Sequence, residues 1–347
     1  MTSRNKVEAN RQVFALLDRY SFSIKGSTTD DVGGRWIKSS AGSDRDRLVK
    51  AEVTASLSIS PSLKIARFDI DGLALFCSSG LKFATAIPGL IEEEIGGGML
   101  TAFLSELSPS PIASVLEVKN ITETGSSTAG YTGHEVYEIS PLFPEFSVLS
   151  GADISPEENF RVFFLMCLAD TARSSSWMDG QLKTILQLIA ELSPVAIPYR
   201  LLCRALFDTD PAAVFLALYR SLEALYAYSH ATELISKLNI AHDWGHVAQA
   251  LEETLAWRPR EEPSLGMLLR YAVKKDLLLL IDSLGEEMPT SSDLVNFATK
   301  KMYNLRNSLV HYRAFHQSFD PDKINWNRLC EASALMVLHV YDSVVTH

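Results

Sequence analysis

The sequence predicts an α+β first part followed by an all-helical second part, on three observations. Between Leu48 and Ser79 apolar and polar residues alternate, the period of a strand. After Pro156 that alternation disappears. Beyond it, apolar residues recur every three to four positions, the period of a helix with one buried face. The chain has 347 residues, which suits two medium domains. The expected division is 1–150 for an α+β domain of unassigned role (sensing, regulation or substrate positioning) and 155–347 for the helical domain.

The elements follow in order. Residues 4–20 predict a short amphipathic helix with Val7, Phe14, Leu17 and Tyr20 on one side. Residues 25–47, rich in Gly, Ser, Thr and Asp, predict a loop or irregular linker. Val49, Ala51, Val53, Ala55, Leu57 and Ile59 then alternate as a strand. A second run through Leu63, Ile65, Phe68 and Ile70 follows Ser60-Pro61-Ser62, and Asp71-Gly72 turns it back into Leu73–Cys77. Leu100–Leu107 predicts a helix after the Gly96–Gly98 break. Val115–Ile121 and Glu135–Ile139 are further strand candidates. In the second part, segments near 157–173, 178–192, 198–207, 211–229, 243–257, 264–284, 293–315 and 323–345 predict helices. Asp210-Pro211, Pro263-Ser264 and Ser291-Ser292-Asp293 supply start signals.

Composition narrows the class. Hydrophobic residues make up 47% and charged residues 21%, which excludes disordered and collagen-like chains. No apolar run approaches the roughly 18–20 residues of a membrane span, and Met1–Gln12 is polar, so no membrane association and a cytoplasmic location are expected. Cys77, Cys167, Cys203 and Cys330 are scattered without a Cys-x-x-Cys pair, and predict buried reduced thiols. The net charge of -10 argues against a surface that coats nucleic acid along its length.

The helix at 293–315 carries the most information. At 100° per residue, Leu294, Phe297, Ala298, Met302, Leu305, Leu309 and Tyr312 share a core stripe. Tyr303, Asn304, Asn307 and His311 fall on roughly the opposite face, with Asn307 and His311 neighbours at i, i+4. Arg306 lies about 140° from His311, so one straight helix does not aim it at the histidine.

Arg306-Asn307-Ser-Leu-Val-His311 resembles the Arg-x4-His motif of HEPN domains, including the polar residue after the arginine. The surrounding Tyr-Asn-Leu-Arg-Asn-Ser-Leu-Val-His-Tyr-Arg looks like the late helix of the ApeA-like HEPN branch. Upstream, Phe215 to Tyr226 is similar to that branch's early helix, whose apolar face carries an embedded glutamate, here Glu223. The resemblance covers about 210–345 and does not reach the first part of the chain. It implies a HEPN-like helical bundle and a metal-independent endoribonuclease acting as a homodimer, two motifs lining one cleft. It also implies RNA as substrate, no cofactor or metal, and a toxin or antiphage-defence setting with an antitoxin or other defence protein as partner.

The side chains suit that chemistry. Histidine titrates near neutral pH and can take the ribose 2′-OH proton or give one to the leaving oxygen. Arginine stays charged, and its fork matches phosphate oxygens. Expected roles are catalytic for Arg306, His311 and Asn307, substrate binding for Arg313 and Tyr303, and support of Arg306 by Glu223. A plain structural reading stands beside this one. His311 can serve a helix C-terminus, Arg306 can pair with Glu223, and the helical part can be a non-catalytic module that binds a nucleotide, RNA or a protein.

Other constellations are weaker. His242 and His246 have a metal-compatible spacing without a third ligand nearby, and Asp243 reads better as a helix cap. Asp69 and Asp71 read as one solvated strand face. Gly96–Gly98 follows Glu92–Glu94, so a loop is favoured over a phosphate cradle. Charge also redistributes by region: residues 260–328 hold ten Lys/Arg against nine Asp/Glu, so the acidity lies outside the candidate site.

Overall fold

A computed structural model describes residues 4–21, 34–40, 42–125, 128–171, 177–192, 197–287, 293–311 and 321–345. The chain divides into two units, Met1–Asn159 with Ala169–Arg173, and Phe160–Leu168 with Ser174–His347.

The first unit is α+β. Helix α1 (Lys6–Tyr20) starts where the Asn5 side chain accepts from the Val7 and Glu8 amides. Helix α2 (Ser43–Lys50) follows, then strands β1 (Glu52–Ser58), β2 (Lys64–Ile70) and β3 (Leu73–Ser79). After β4 (Ile91–Glu92) come helices α3 (Gly97–Leu107), α4 (Val115–Thr122) and α5 (Val136–Ile139), then β5 (Phe146–Gly151). The strands form one antiparallel sheet in the order β1-β2-β3-β5-β4. Asp71 and Gly72 both take positive φ (47° and 85°) between the paired residues Ile70 and Leu73. That is the two-residue hairpin turn whose twist matches the strands, and Asp-Gly suits it.

One sheet face carries Ala66, Phe68, Ile70, Leu75, Cys77, Phe146 and Val148 into a core shared with Phe14 and Leu17 of α1 and Met99, Leu100 and Phe103 of α3. The other face buries Arg67. Its guanidinium donates to Asp69 (2.7 Å), to the Ser155 carbonyl (3.1 Å) and to Asn159 Oδ1 (2.8 Å), and lies over the Phe76 ring. A similar tie closes the helical side. Arg35 grips Asp18 through both nitrogens of its fork, donates to the Thr122 carbonyl at 2.9 Å, and covers Phe14.

Four sequence expectations are corrected here. Val115–Ile121 is helix α4, because Ser114 and Glu117 form a reciprocal capping box that satisfies the first-turn amides. Glu135–Ile139 is not a strand but the one-turn helix α5, closed by Glu135 and Glu138 in the same way. The 25–47 loop is too long, since Ser43–Lys50 folds as α2, and the strand begins only at Glu52. Gly97 and Gly98 belong to the first turn of α3 rather than to a loop. They are required there by close approach: a Cβ on Gly98 would lie 1.8 Å from the Asp44 carbonyl oxygen, and one on Gly97 1.9 Å from that of Lys38.

In the second unit every described regular element is helical: α6 (Asn159–Ala169), α7 (Gly180–Ile189), α8 (Tyr199–Ala205), α9 (Ala212–Glu223), α10 (Tyr228–Leu238), α11 (Trp244–Leu255), α12 (Glu261–Leu269), α13 (Lys274–Ser283), α14 (Leu294–Val310) and α15 (Trp326–Val345), with a short 3-10 turn at Pro321–Lys323. Helix α15 packs against α7, α9 and α13. The Tyr341 hydroxyl donates to the Ser221 carbonyl of α9 (2.8 Å), and His339 meets the buried Asp276 of α13 at 2.6 Å. The predicted 264–284 helix is two helices, broken at Arg270–Val273, and α10 occupies the gap left between 229 and 243. The Pro263-Ser264 start is also displaced: α12 begins at Glu261 and carries Pro263 inside its first turn, where a missing amide costs no hydrogen bond. Asp210 and Asp293 do accept from helix-start amides, those of Ala212 (2.9 Å) and Val295 (2.9 Å). All four cysteines are buried. Among the described residues, no helix is long and apolar enough to cross a membrane.

Candidate functional site

Helix α14 is the element that positions the candidate residues. Ala298, Met302 and Leu305 are buried on its core stripe, with Leu294, Phe297 and Leu309 half-buried beside them. That stripe packs against α12, α13 and α9. It leaves Arg306 on its flank, facing α9 and α12.

Arg306 is the hub. Its Nη2 donates to Glu223 Oε1 at 3.1 Å, across helices α14 and α9. Its Nη1 donates to Asn307 Oδ1 at 3.0 Å and lies 3.5 Å from Glu261 Oε2, at the first residue of α12. The guanidinium sits 5.8 Å from the centroid of the Tyr219 ring, one turn before Glu223 on α9. The Tyr226 hydroxyl donates to the Tyr219 hydroxyl at 2.9 Å, which closes the network from the interior side.

Burial sets the electrostatics. It pushes the Tyr219 hydroxyl up to about 12, and raises the Tyr226 hydroxyl as well. Burial also pushes the Glu223 carboxyl above the ordinary carboxylate range; Arg306 pulls it back and Glu261 adds to the rise. At Arg306 burial works to lower the pKa, but the charges of Glu223 and Glu261 outweigh it and the guanidinium is pushed up. The two partners thus feel the pair unequally. Arginine keeps its charge at any working pH, so Glu223 is the member whose ionisation is in play.

His311 stands apart. It is the C-cap of α14, its backbone N–H donates to the Asn307 carbonyl at 2.9 Å, and its backbone is extended (φ -113°, ψ 111°). Its side chain is exposed. The Asn307 oxygen accepts from Arg306 Nη1, which leaves its amide NH2 as the donor it can offer elsewhere. Tyr303 is half-buried on α14, and Arg313 lies outside the described residues. A single chain therefore joins Arg306, Asn307 and Glu223, and leaves His311 on the surface at the helix end.

Glu261, Tyr219 and Tyr226 were absent from the sequence-based site. Tyr219 and Tyr226 lie four before and three after Glu223, so helical spacing around that glutamate contained a signal for them. Glu261 had none, since only tertiary packing brings α12 to α14.

The other constellations resolve locally. Asp243 caps α11, accepting from the His246 amide at 3.0 Å, and its second oxygen meets His246 Nδ1. His242 and His246 rim an apolar groove of about 510 Å³ between α10 and α11, lined by Leu234, Ile240, Val247 and Leu251. Among the described residues, no three His, Cys, Asp or Glu side chains converge in a cluster fit for a metal ion. The Gly-rich start of α3 is filled from within: Asp44 accepts from the Gly98 amide (2.9 Å) and the Ser40 amide (2.8 Å). Asp69 is not freely solvated but held by Arg67, whereas Asp71 is exposed beside Lys50. A scan against protein-family models, a search of curated proteins and a search of solved structures each returned no match.

Proposed function

We propose that the helical unit is a HEPN-like, metal-independent endoribonuclease, working as a homodimer that brings two copies of Arg306 and His311 to one RNA strand. The observation that carries this reading is the Arg306–Glu223 pair at 3.1 Å, on the same helix α14 whose C-terminal end carries a solvent-facing His311. The pair supports the reading because the glutamate embedded in the early helix buttresses the arginine of the late one. In such a site one His311 imidazole takes the proton of a ribose 2′-OH. The 2′ oxygen attacks phosphorus and the bond to the 5′ oxygen breaks. That oxygen then receives a proton, and a 2′,3′-cyclic phosphate remains. Arg306 would balance the charge that develops on the phosphate oxygens. A second copy is part of the proposal because one chain engages Arg306 with Glu223 and Glu261 and leaves His311 exposed at the helix end. Toxin or antiphage defence is the setting the resemblance suggests, with a silencing partner protein.

The test is incubation of purified protein with mixed cellular RNA in EDTA. Cleavage should appear, leave cyclic phosphate ends, spare DNA, and fall by roughly 10²–10⁴-fold in His311→Ala. Equal cleavage by Arg306→Ala and His311→Ala variants would exclude the site. A second reading is a non-catalytic module that binds nucleotide, RNA or protein; the observation favouring it is that Arg306 is already engaged by three side chains. That reading requires His311→Ala to leave binding and the cellular phenotype intact.

A further inference from the structure

Two carboxylates face one guanidinium at the centre of the candidate site, and they are not equivalent. Glu223 makes a hydrogen bond to Arg306 at 3.1 Å from the interior helix α9, and its side chain is 25% exposed. Glu261 approaches only to 3.5 Å, and its side chain is 44% exposed. It sits at the first residue of α12, where the helix N-terminus stabilises a carboxylate on its own. Glu261 therefore keeps a favourable place after letting Arg306 go, and Glu223 does not.

The count of charges points the same way. At the guanidinium itself Glu223 balances the charge and Glu261 adds a second carboxylate, while the charge of Arg220 acts on Glu223. A phosphodiester approaching Nη1 meets Glu261 at the position its own oxygen needs. Among the described residues every polar partner of Arg306 is a side chain, so none of these bonds is fixed by the backbone.

We propose that Glu261 is a positioning residue that holds Arg306 closed in the RNA-free chain and is displaced from Nη1 by the phosphodiester. Glu223 stays as the buttress that aims the guanidinium. The inference rests on the ribonuclease reading, and it makes Glu261 a brake: removing its charge increases RNA affinity, opposite in sign to the loss expected from a merely structural contact.

The probe is a 2′-O-methyl RNA oligonucleotide, which binds but lacks the attacking hydroxyl, measured alongside cleavage of ordinary RNA. Glu261→Gln should bind it roughly two- to fivefold tighter, the fold-change of one exposed ion-pair contact. Glu262→Gln makes the same change in net charge from the same helical turn and should bind like the parent chain. The gain of Glu261→Gln should vanish in the Arg306→Ala background. Equal or weaker binding by Glu261→Gln in a chain that cuts RNA overturns this inference and leaves the ribonuclease reading standing. Tighter binding with no cleavage by any form overturns the ribonuclease reading and keeps the brake. A gain that survives Arg306→Ala overturns the brake as well, because the effect then does not pass through Arg306.

Discussion

Arg67 and Arg35 of the α+β unit are held differently from Arg306 of the helical unit. In the α+β unit, Arg67 and Arg35 each donate to a main-chain carbonyl as well as to a carboxylate: Arg67 to Ser155, Arg35 to Thr122. Each also covers an aromatic ring, 5.8 Å from Phe76 and 5.0 Å from Phe14. Arg306 has the ring and the carboxylates but, among the described residues, no backbone partner. A carbonyl is fixed by the fold and cannot move away, whereas a glutamate can rotate. The comparison separates arginines that tie a chain together from one whose partners are exchangeable, the condition for binding an outside anion.

Glycine substitution should divide the units most strongly. Gly98→Ala forces a methyl into the Asp44 carbonyl and should destabilise the α+β unit by roughly 3 kcal/mol or more, read as a lowered urea midpoint. A second break follows from Arg67→Met. It strands the Asn159 side chain and the Ser155 carbonyl inside the unit and should cost about 2–3 kcal/mol. If that variant is as stable as the parent chain, the backbone-tied arginine is not structural and the comparison fails.

A smaller effect concerns pH. His134 is buried against Phe14 and Tyr131, and its Nε2 lies 3.1 Å from the Thr124 carbonyl. Burial pushes its pKa below the ordinary value; the Thr124 carbonyl and Glu138 oppose that, and Arg35 adds to it. A histidine depressed in the folded state contributes stability that is complete above the ordinary pKa of about 6.5 and is lost as pH falls through the folded value. The α+β unit should therefore unfold more easily as pH falls below about 6.5, and His134→Gln should flatten that slope in thermal unfolding followed across pH 5 to 8.

Arg306→Met should cost less than Arg67→Met, about 1 kcal/mol, because it leaves one half-buried carboxylate unpaired and no stranded backbone group. Glu223→Gln added to it should recover part of the loss in chemical denaturation, since an uncharged side chain tolerates that burial better. The smallest change carries the opposite sign. Gly266 lies inside α12, and a Cβ there meets Thr299 at an ordinary 3.5 Å. Gly266→Ala should stabilise the helical unit by about 0.5–1 kcal/mol.

Elements with strong local signals were legible from the chain. The Asp71-Gly72 hairpin needs only the freedom of two residues to take positive φ. Helix α14 has a sustained apolar stripe and an Asp293 cap. Helix α4 was missed although its signal was local: Ser114 and Glu117 stand at capping-box spacing, but the apolar residues at Val115, Leu116, Val118 and Ile121 suit either period. Strand β5 was missed for a different reason. Phe146–Gly151 is short, and it becomes a strand by pairing with Leu73–Ser79 across about 70 residues. The boundary between α12 and α13 was hidden because the apolar residues on both sides of it keep a helical pattern.

Of the candidate residues read from the sequence, Arg306, Asn307 and Glu223 come together, and His311 stays on the surface at the end of α14. Which atoms they meet was decided by packing. The sequence by itself determined the change from strand to helix patterning, the amphipathic face of α14 and the residues that can bear charge there. Only the tertiary structure decided that Arg306 meets the Asn307 oxygen and Glu223, and that Glu261 reaches the same guanidinium. The reason is physical: local pattern sets the direction of a side chain about its helix axis, but a guanidinium has five donors, and its partners are whichever acceptors the neighbouring helices bring within reach.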